Sequence, residues 1–198
     1  MSTGNEGLSQ AKGRSVLIGV GALFFVPLFV AFYLYYAGGW RPQGRTNHGE
    51  LVTPARPLPD ARFATAEGRP VDATLFRGKW TLVYLGDGAC DADCQRALWV
   101  MRQTRVLLVQ DMDRVQRVFV AERNCCNLAF LQSEHPGLTL LTPLDAAGLL
   151  AEFPRTDVEH SVYVVDPLGN LMMRFDARQN PKGLLSDLQK LLKLSHIG

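Results

Sequence analysis

"SVLIGVGALFFVPLFVAFYLYY", Ser15 to Tyr36, runs for 22 residues without a charge, and it sets the first limit on what this chain can become. At about 1.5 Å of rise per residue, a helix of that length crosses the roughly 30 Å of hydrocarbon in a bilayer. Tyr33, Tyr35, Tyr36 and Trp40 crowd its C-terminal end, where amphipathic rings favour the headgroup region. Pro27, mid-span, is tolerated in lipid. The competing assignment is a cleaved signal peptide, whose apolar region spans only about 7–15 residues. Its cleavage site also needs small residues, and bulky tyrosines stand just before Ala37 here. Residues 15–36 are therefore expected to form an uncleaved transmembrane anchor behind a short tail, residues 1–14. Lys12 and Arg14 on one flank nearly balance Arg41 and Arg45 on the other, so the positive-inside rule does not decide orientation. A short tail ahead of a single span ordinarily stays in the cytoplasm, which places the rest of the chain outside.

Residues 37–60 are rich in Gly, Pro and Arg and show neither a helical nor a strand period. Pro54, Pro57 and Pro59 argue against any regular element, and the segment reads as a tether. A domain of ordinary size is expected over 61–198. "ARFATAEGRPVDATLF" reads as two short strands around a Glu67-Gly68 turn, and "KWTLVYLG" as a buried central strand ending at Gly86. Cys94 to Gln110 has the length of a helix, with Ala97, Leu98, Met101, Leu108 and Val109 on its inner face. "QRVFVAE" reads as a further strand, and "DAAGLLAEF" as a short helix capped by Asp145. "SVYVVD", "PLGN" and "LMMRF" make a hairpin around a Pro-Leu-Gly-Asn turn. "PKGLLSDLQKLLKL" closes the domain as an amphipathic helix with Pro181 in its first turn. Strands and helices in this order predict an α/β domain with a mixed sheet.

The 21 Lys and Arg against 19 Asp and Glu give a net charge of +2. No basic stripe interleaved with aromatics is present, so nucleic acid is not an expected partner. Four cysteines are too few for a disulfide-built miniprotein. Two of them lie in "YLGDGACDADCQRAL": Cys90 and Cys94, where an apolar strand gives way to a charged segment. A helix starting near Cys90 would bring both side chains to one face, one turn apart. Its positive end would favour thiolate, raising both nucleophilicity and metal affinity. The two sulfurs could then converge on one soft ion or close one disulfide, provided the loop brings the Cα atoms within about 4.4–6.8 Å. Ligands of α/β sheets gather beyond the carboxyl ends of strands, which is where this pair falls. The intervening Asp91 and Asp93 work against thiolate formation but favour a nearby cation, and both are expected to face solvent.

A metal site needs a third ligand from His48, His135, His160 or His196. His48 falls in the tether, His196 in the C-terminal tail and His135 in a loop before Pro136, whereas His160 immediately precedes an inner strand. Structural, redox and metal roles for the cysteine pair all remain open on these patterns. Cys125 and Cys126 in "ERNCCNLAF" could form a vicinal disulfide, supply thiolates, or simply pack.

"VYLGDGACDADCQRAL" resembles the active loop of the Sco/SenC proteins, membrane-anchored thioredoxin-like factors of cytochrome c oxidase assembly. "VEHSVYVVDPLGNLMMRF" resembles the second signature of that family, a His followed by a strand, an Asp-Pro turn and a return strand. "GRPVDATLFRGKWTLVYLG" is similar to the opening hairpin that the family shares with the peroxiredoxin-like group. The resemblance spans roughly residues 62–194. It implies a thioredoxin-like mixed sheet flanked by helices behind one N-terminal transmembrane helix, with Cys90, Cys94 and His160 as copper ligands. Thiolates suit Cu(I), imidazole serves Cu(I) or Cu(II), and the same set with a fourth group would accept zinc. Where the family has a proline after each cysteine of the loop, this chain has Asp91 and Gln95.

The implied function is that of a metallochaperone in the inner membrane, its domain on the periplasmic face. It would deliver copper to subunit II of cytochrome c oxidase, or reduce the cysteines of that copper site, alongside other copper carriers or thiol reductants. Two other readings stand beside it. One is a thiol–disulfide oxidoreductase of the cell envelope, in which Cys90 attacks a partner disulfide and Cys94 resolves the intermediate. The other is a tethered interaction module whose chemistry has been lost.

Overall fold

A computed structural model describes residues 5–37, 47–195 and 197, with the backbone alone for residues 5–13. His196 and residues 38–46 of the expected tether, Trp40, Arg41 and Arg45 among them, lie outside the described residues. The chain divides into two units, Met1–Arg45 and Thr46–Gly198.

Among the described residues, the first unit holds one helix, α1 (Asn5–Tyr36), with Pro27 inside it. Its segment Arg14–Tyr36 has a mean hydropathy of 2.5 and is long and apolar enough to cross a membrane. Its large apolar side chains, from Val16 to Tyr36, are exposed. Helical backbone extends beyond the uncharged run as far as Asn5, so most of the residues read as a tail continue the same helix.

The second unit is a mixed sheet of eight strands in the order β1-β8-β7-β4-β5-β6-β2-β3. The strands are β1 (Glu50–Pro57), β2 (Arg62–Thr65), β3 (Pro70–Asp72), β4 (Trp80–Asp87), β5 (Val115–Arg123), β6 (Leu138–Asp145), β7 (Ser161–Val165) and β8 (Asn170–Asp176). The helices are α2 (Ala92–Leu107), α3 (Leu128–Glu134), α4 (Ala147–Ala151) and α5 (Pro181–Leu194). β4 is central, as its unbroken apolar run requires: it pairs parallel with β5 and antiparallel with β7. Alternation along β4 feeds both faces of the sheet. Leu82 and Tyr84 join one apolar cluster with Leu98 and Met101 of α2 and Leu184, Leu188 and Leu192 of α5. Val83 and Leu85 join the other, with Phe63, Phe76, Leu149 and Phe153.

The β2–β3 and β7–β8 hairpins form where the turn chemistry places them. In the second, Asp166 accepts the N–H groups of Leu168 (2.9 Å) and Asn170 (2.8 Å), fixing the Pro167-Leu168-Gly169 turn. Three expectations need correction. Glu50–Pro57 is a strand, not irregular tether: it pairs antiparallel with β8 at the sheet edge, the pairing interrupted between Leu51 and Arg56, around Pro54. An edge strand tolerates proline because its outer N–H groups need no partner. Asp145 does not cap α4. Ala146 stands at the cap position, and Asp145 instead pairs with Arg62 at 3.1 Å. Val109 is exposed rather than on an inner face, because α2 ends at Leu107 and the chain turns through a left-handed φ of 49° at Val109. β6 and α3, which no sequence pattern marked, complete the sheet and the β5–β6 crossover.

Candidate functional site

The chain leaves β4 at Asp87 and enters α2 at Ala92, and the five residues from Asp87 to Asp91 carry the turn. Gly86 is fixed by its neighbour two residues back: a Cβ there would lie 2.8 Å from Cε1 of Tyr84. Cys90 adopts a left-handed φ of 53°, a conformation that costs a non-glycine residue about 1–3 kcal/mol and recurs at functional loops. Asp91 caps the helix by accepting the Cys94 N–H at 3.0 Å. Gln95 reaches back to donate to the Cys90 carbonyl at 3.3 Å. Asp91 and Gln95 thus hold the loop with hydrogen bonds.

Cys90 and Cys94 form a disulfide with Cα atoms 5.0 Å apart. The helix starts after Cys90 rather than at it, so the left-handed turn, not helical spacing, brings the sulfurs together. Both cysteines are nearly inaccessible, 3% and 1% exposed, and belong to the core cluster beneath α2. Asp91 and Ala92 beside them are exposed, and Asp93 is half-buried.

His160 ends a single 3-10 turn, Val158–His160, that leads into β7. Its Nδ1 lies 3.5 Å from an Asp93 carboxylate oxygen, in the first turn of α2, and its carbonyl accepts the Ala177 N–H at 2.6 Å. The structure therefore brings His160 to the helix start that carries Cys94, through Asp93. Among the described residues no three His, Cys, Asp or Glu side chains converge into a group that could hold a metal ion. The other histidines go elsewhere. His48, which the sequence placed in the tether, pairs through Nδ1 with buried Asp187 at 3.1 Å. His135, expected in a loop, is buried at the end of α3.

Tyr84 went unnoticed in the sequence because it sits in the apolar run of β4. Its buried hydroxyl donates to the Glu159 carbonyl at 3.2 Å, tying the central strand to the turn that bears His160. Burial, reinforced by the charges of Asp91, Glu159 and Asp93, pushes its phenol well above the ordinary range. A tyrosine hydroxyl two residues before Gly86, near the end of the apolar run, is the signal that could have marked it.

Cys125 and Cys126 form a second, vicinal disulfide across a cis peptide, in the loop between β5 and α3. Asn124 before them takes a left-handed φ of 46°, and Asn is among the residues best suited to it. Gly88 joins this loop to the first. Its N–H donates to the Arg123 carbonyl at 2.8 Å and its carbonyl accepts the Asn127 N–H at 3.0 Å. Asp87 accepts from the Asn124 side chain at 2.7 Å and from the Ala89 N–H at 2.9 Å. The Ala89 N–H first, then Asn124 and Arg123, hold its carboxyl below the usual range. Because β4 and β5 are parallel, both cysteine loops emerge at the same end of the sheet.

The family model described as "Transmembrane-like, thioredoxin-like, C-terminal domain" matches residues 80–195, more than half of the 198 residues. The chain belongs to that family. In this thioredoxin-like domain, then, the disulfide at the start of α2 occupies the first strand-to-helix junction of the matched region. No curated protein matches the sequence. Three solved structures share the fold. Bradyrhizobium japonicum ScoI with copper bound is 20% identical, with a TM-score of 0.55 over 69% of this chain and 99% of that one. Apo Sco1 from Thermus thermophilus is 19% identical, with a TM-score of 0.59 over 76% and 100%. BsSco, a member of the Sco family of cytochrome c oxidase assembly proteins in which a disulfide switch was identified, is 13% identical, with a TM-score of 0.51 over 71% and 96%. The thioredoxin-like family domain thus has a Sco-type fold.

Proposed function

We propose that this chain is a membrane-anchored thiol–disulfide protein of the cell envelope, and that its Cys90–Cys94 pair serves the assembly of a copper site. The anchor would lie in the inner membrane with the domain on its periplasmic face. The observation that carries the reading is the disulfide itself. Two cysteines brought within 5.0 Å by a left-handed turn at a helix N-terminus make a pair that a partner dithiol can open and a partner disulfide can re-form. Exposed Asp91 and Ala92 give a partner a surface to dock on beside the pair, whose buried sulfurs it meets once the loop opens. The recipient fitting both the fold relatives and this chemistry is the cysteine pair of the copper site in cytochrome c oxidase subunit II, whose thiols must be reduced before metal enters.

Copper carriage by the same pair is the second reading, and the placement of His160 favours it. With the disulfide closed, neither sulfur is a thiolate ligand, so the oxidised state is not the metal-bearing one. Reduction frees two thiolates at the start of α2, with the imidazole of His160 on the turn packed against that start. Two thiolates and an imidazole are a donor set suited to copper as cargo. ScoI of Bradyrhizobium japonicum was solved with copper bound, and BsSco carries a disulfide switch; the two readings are states of one pair.

The test uses the full chain in detergent. Dithiol-dependent reduction of a model disulfide is expected in the wild type and should fall sharply in Cys90→Ser. Copper titrated into the reduced protein should bind near one equivalent, and His160→Ala should abolish it while leaving the exchange intact. A Cys90–Cys94 bond that excess dithiol leaves closed would remove both readings.

A further inference from the structure

The buried disulfide and the exposed one are neighbours. Cys125 is exposed and Cys126 partly buried, and Cys126 packs against the apolar cluster that contains Cys90 and Cys94. Gly88, two residues before Cys90, lies against the backbone of Cys125: a Cβ at position 88 would be 2.7 Å from the Cys125 Cα. Hydrogen bonds from both sides of Gly88 span the vicinal pair, to Arg123 before it and from Asn127 after it. Asp87 ties the Asn124 side chain to the same turn. A partner in solution meets Cys125 directly, whereas Cys90 and Cys94 are 3% and 1% exposed.

We propose that Cys125 and Cys126 are a second redox pair, the solvent-facing port through which electrons from an external dithiol reach the buried Cys90–Cys94 disulfide. This rests on the reading that Cys90–Cys94 cycles between dithiol and disulfide. An external dithiol opens Cys125–Cys126 and itself becomes a disulfide. The Cys125 thiolate then attacks the Cys90 sulfur, forming a Cys90–Cys125 disulfide and expelling the Cys94 thiolate. The Cys126 thiolate attacks the Cys125 sulfur, which re-forms the vicinal disulfide and releases the Cys90 thiolate. Two electrons end on Cys90 and Cys94, and the two protons lost by Cys125 and Cys126 are taken up there. Exchange of this kind depends on access as well as thiolate fraction, and access is what separates the two pairs.

Tryptic cleavage divides the pairs cleanly: Trp80–Arg96 carries Cys90 and Cys94, and Asn124–Arg155 carries Cys125 and Cys126. The wild-type full chain in detergent is reduced briefly with substoichiometric dithiothreitol, desalted, and alkylated at intervals before digestion. The expected result is that free thiols appear first in Asn124–Arg155. After the reductant is gone they pass to Trp80–Arg96, at a rate independent of protein concentration. In the double variant Cys125→Ser, Cys126→Ser, reduction of Cys90–Cys94 should slow about tenfold or more, as for a disulfide reached only through burial. In Cys94→Ser with Cys126→Ser, mild oxidation should link the two peptides within one chain. Thiols that stay where they first appear, a transfer rate that scales with protein concentration, or unchanged reduction in the double variant would each overturn the relay while leaving the Cys90–Cys94 cycle standing. A Cys90–Cys94 bond that no excess of dithiothreitol opens is the separate result that refutes the cycle.

Discussion

His135 and Arg117 show what burying a basic side chain does to this domain. Arg117, 4% exposed, donates to the Pro136 carbonyl at 2.6 Å, but among the described residues its Nε and Nη1 find no partner. Burial, with Arg105 and Arg102 nearby, lowers its pKa to about 10. His135 is buried beside it, and burial first, then the charges of Arg117 and Arg102, lower its pKa below 6.5. The unfolded chain binds the His135 proton more readily, so this contribution to stability is complete above pH 6.5. It should decline as pH falls from there and level off below the depressed folded value. His135→Phe is expected to remove that slope, read as a wild-type-minus-variant difference in unfolding midpoint that narrows with acid; a constant difference would refute it. At this scale the candidate site was partly legible. Cys90, Cys94 and His160 stood out because reactive residue types flank strand ends. Tyr84 did not, since an aromatic in an apolar strand reads as core, and only the fold shows its hydroxyl on Glu159.

Among elements, α5 and the start of β1 depend on one buried carboxylate. Asp187 accepts the backbone N–H groups of His48 at 2.7 Å and Gly49 at 2.8 Å. Gly49 itself has no room for a side chain, because a Cβ would sit 2.6 Å from the Met173 sulfur. Asp187→Ala would leave both N–H groups without their acceptor, and a loss of about 2–3 kcal/mol is expected, measured as a lower urea midpoint with an unchanged slope. Loss within about 0.5 kcal/mol, the range of an ordinary surface change, would refute the clamp. The amphipathic pattern of α5, the hairpin β7–β8 and the apolar run of β4 announced themselves because their periods follow burial. β1 was hidden by Pro54 and Pro57, and β6 by Pro143, which local rules read as breakers. Long-range partners, β8 for β1 and β2 and β5 for β6, overrode those signals.

For the whole molecule, stability rests on the two apolar clusters that sandwich the sheet rather than on sulfur. Each disulfide closes a loop of a few residues at most, so chain entropy assigns the longer one only about 2 kcal/mol. Opening both with excess dithiol should therefore leave far-ultraviolet circular dichroism unchanged and unfolding cooperative. A molten transition would contradict a fold built to persist through a redox cycle. An α/β domain with a mixed sheet was legible in the order of strands and helices; its thioredoxin-like form came only through the resemblance of the two motifs to a known family. The proximity of the two cysteine loops was not, because it follows from parallel pairing of β4 with β5, which no local pattern encodes. The sheet's margins carry a last consequence. Its outermost strands are β1 and β3, and each contains proline: Pro54 and Pro57 in one, Pro70 in the other. Proline offers no N–H, so neither rim readily templates a strand from another copy. Molecules crowded by their anchors onto one surface would be kept from zipping together sheet to sheet.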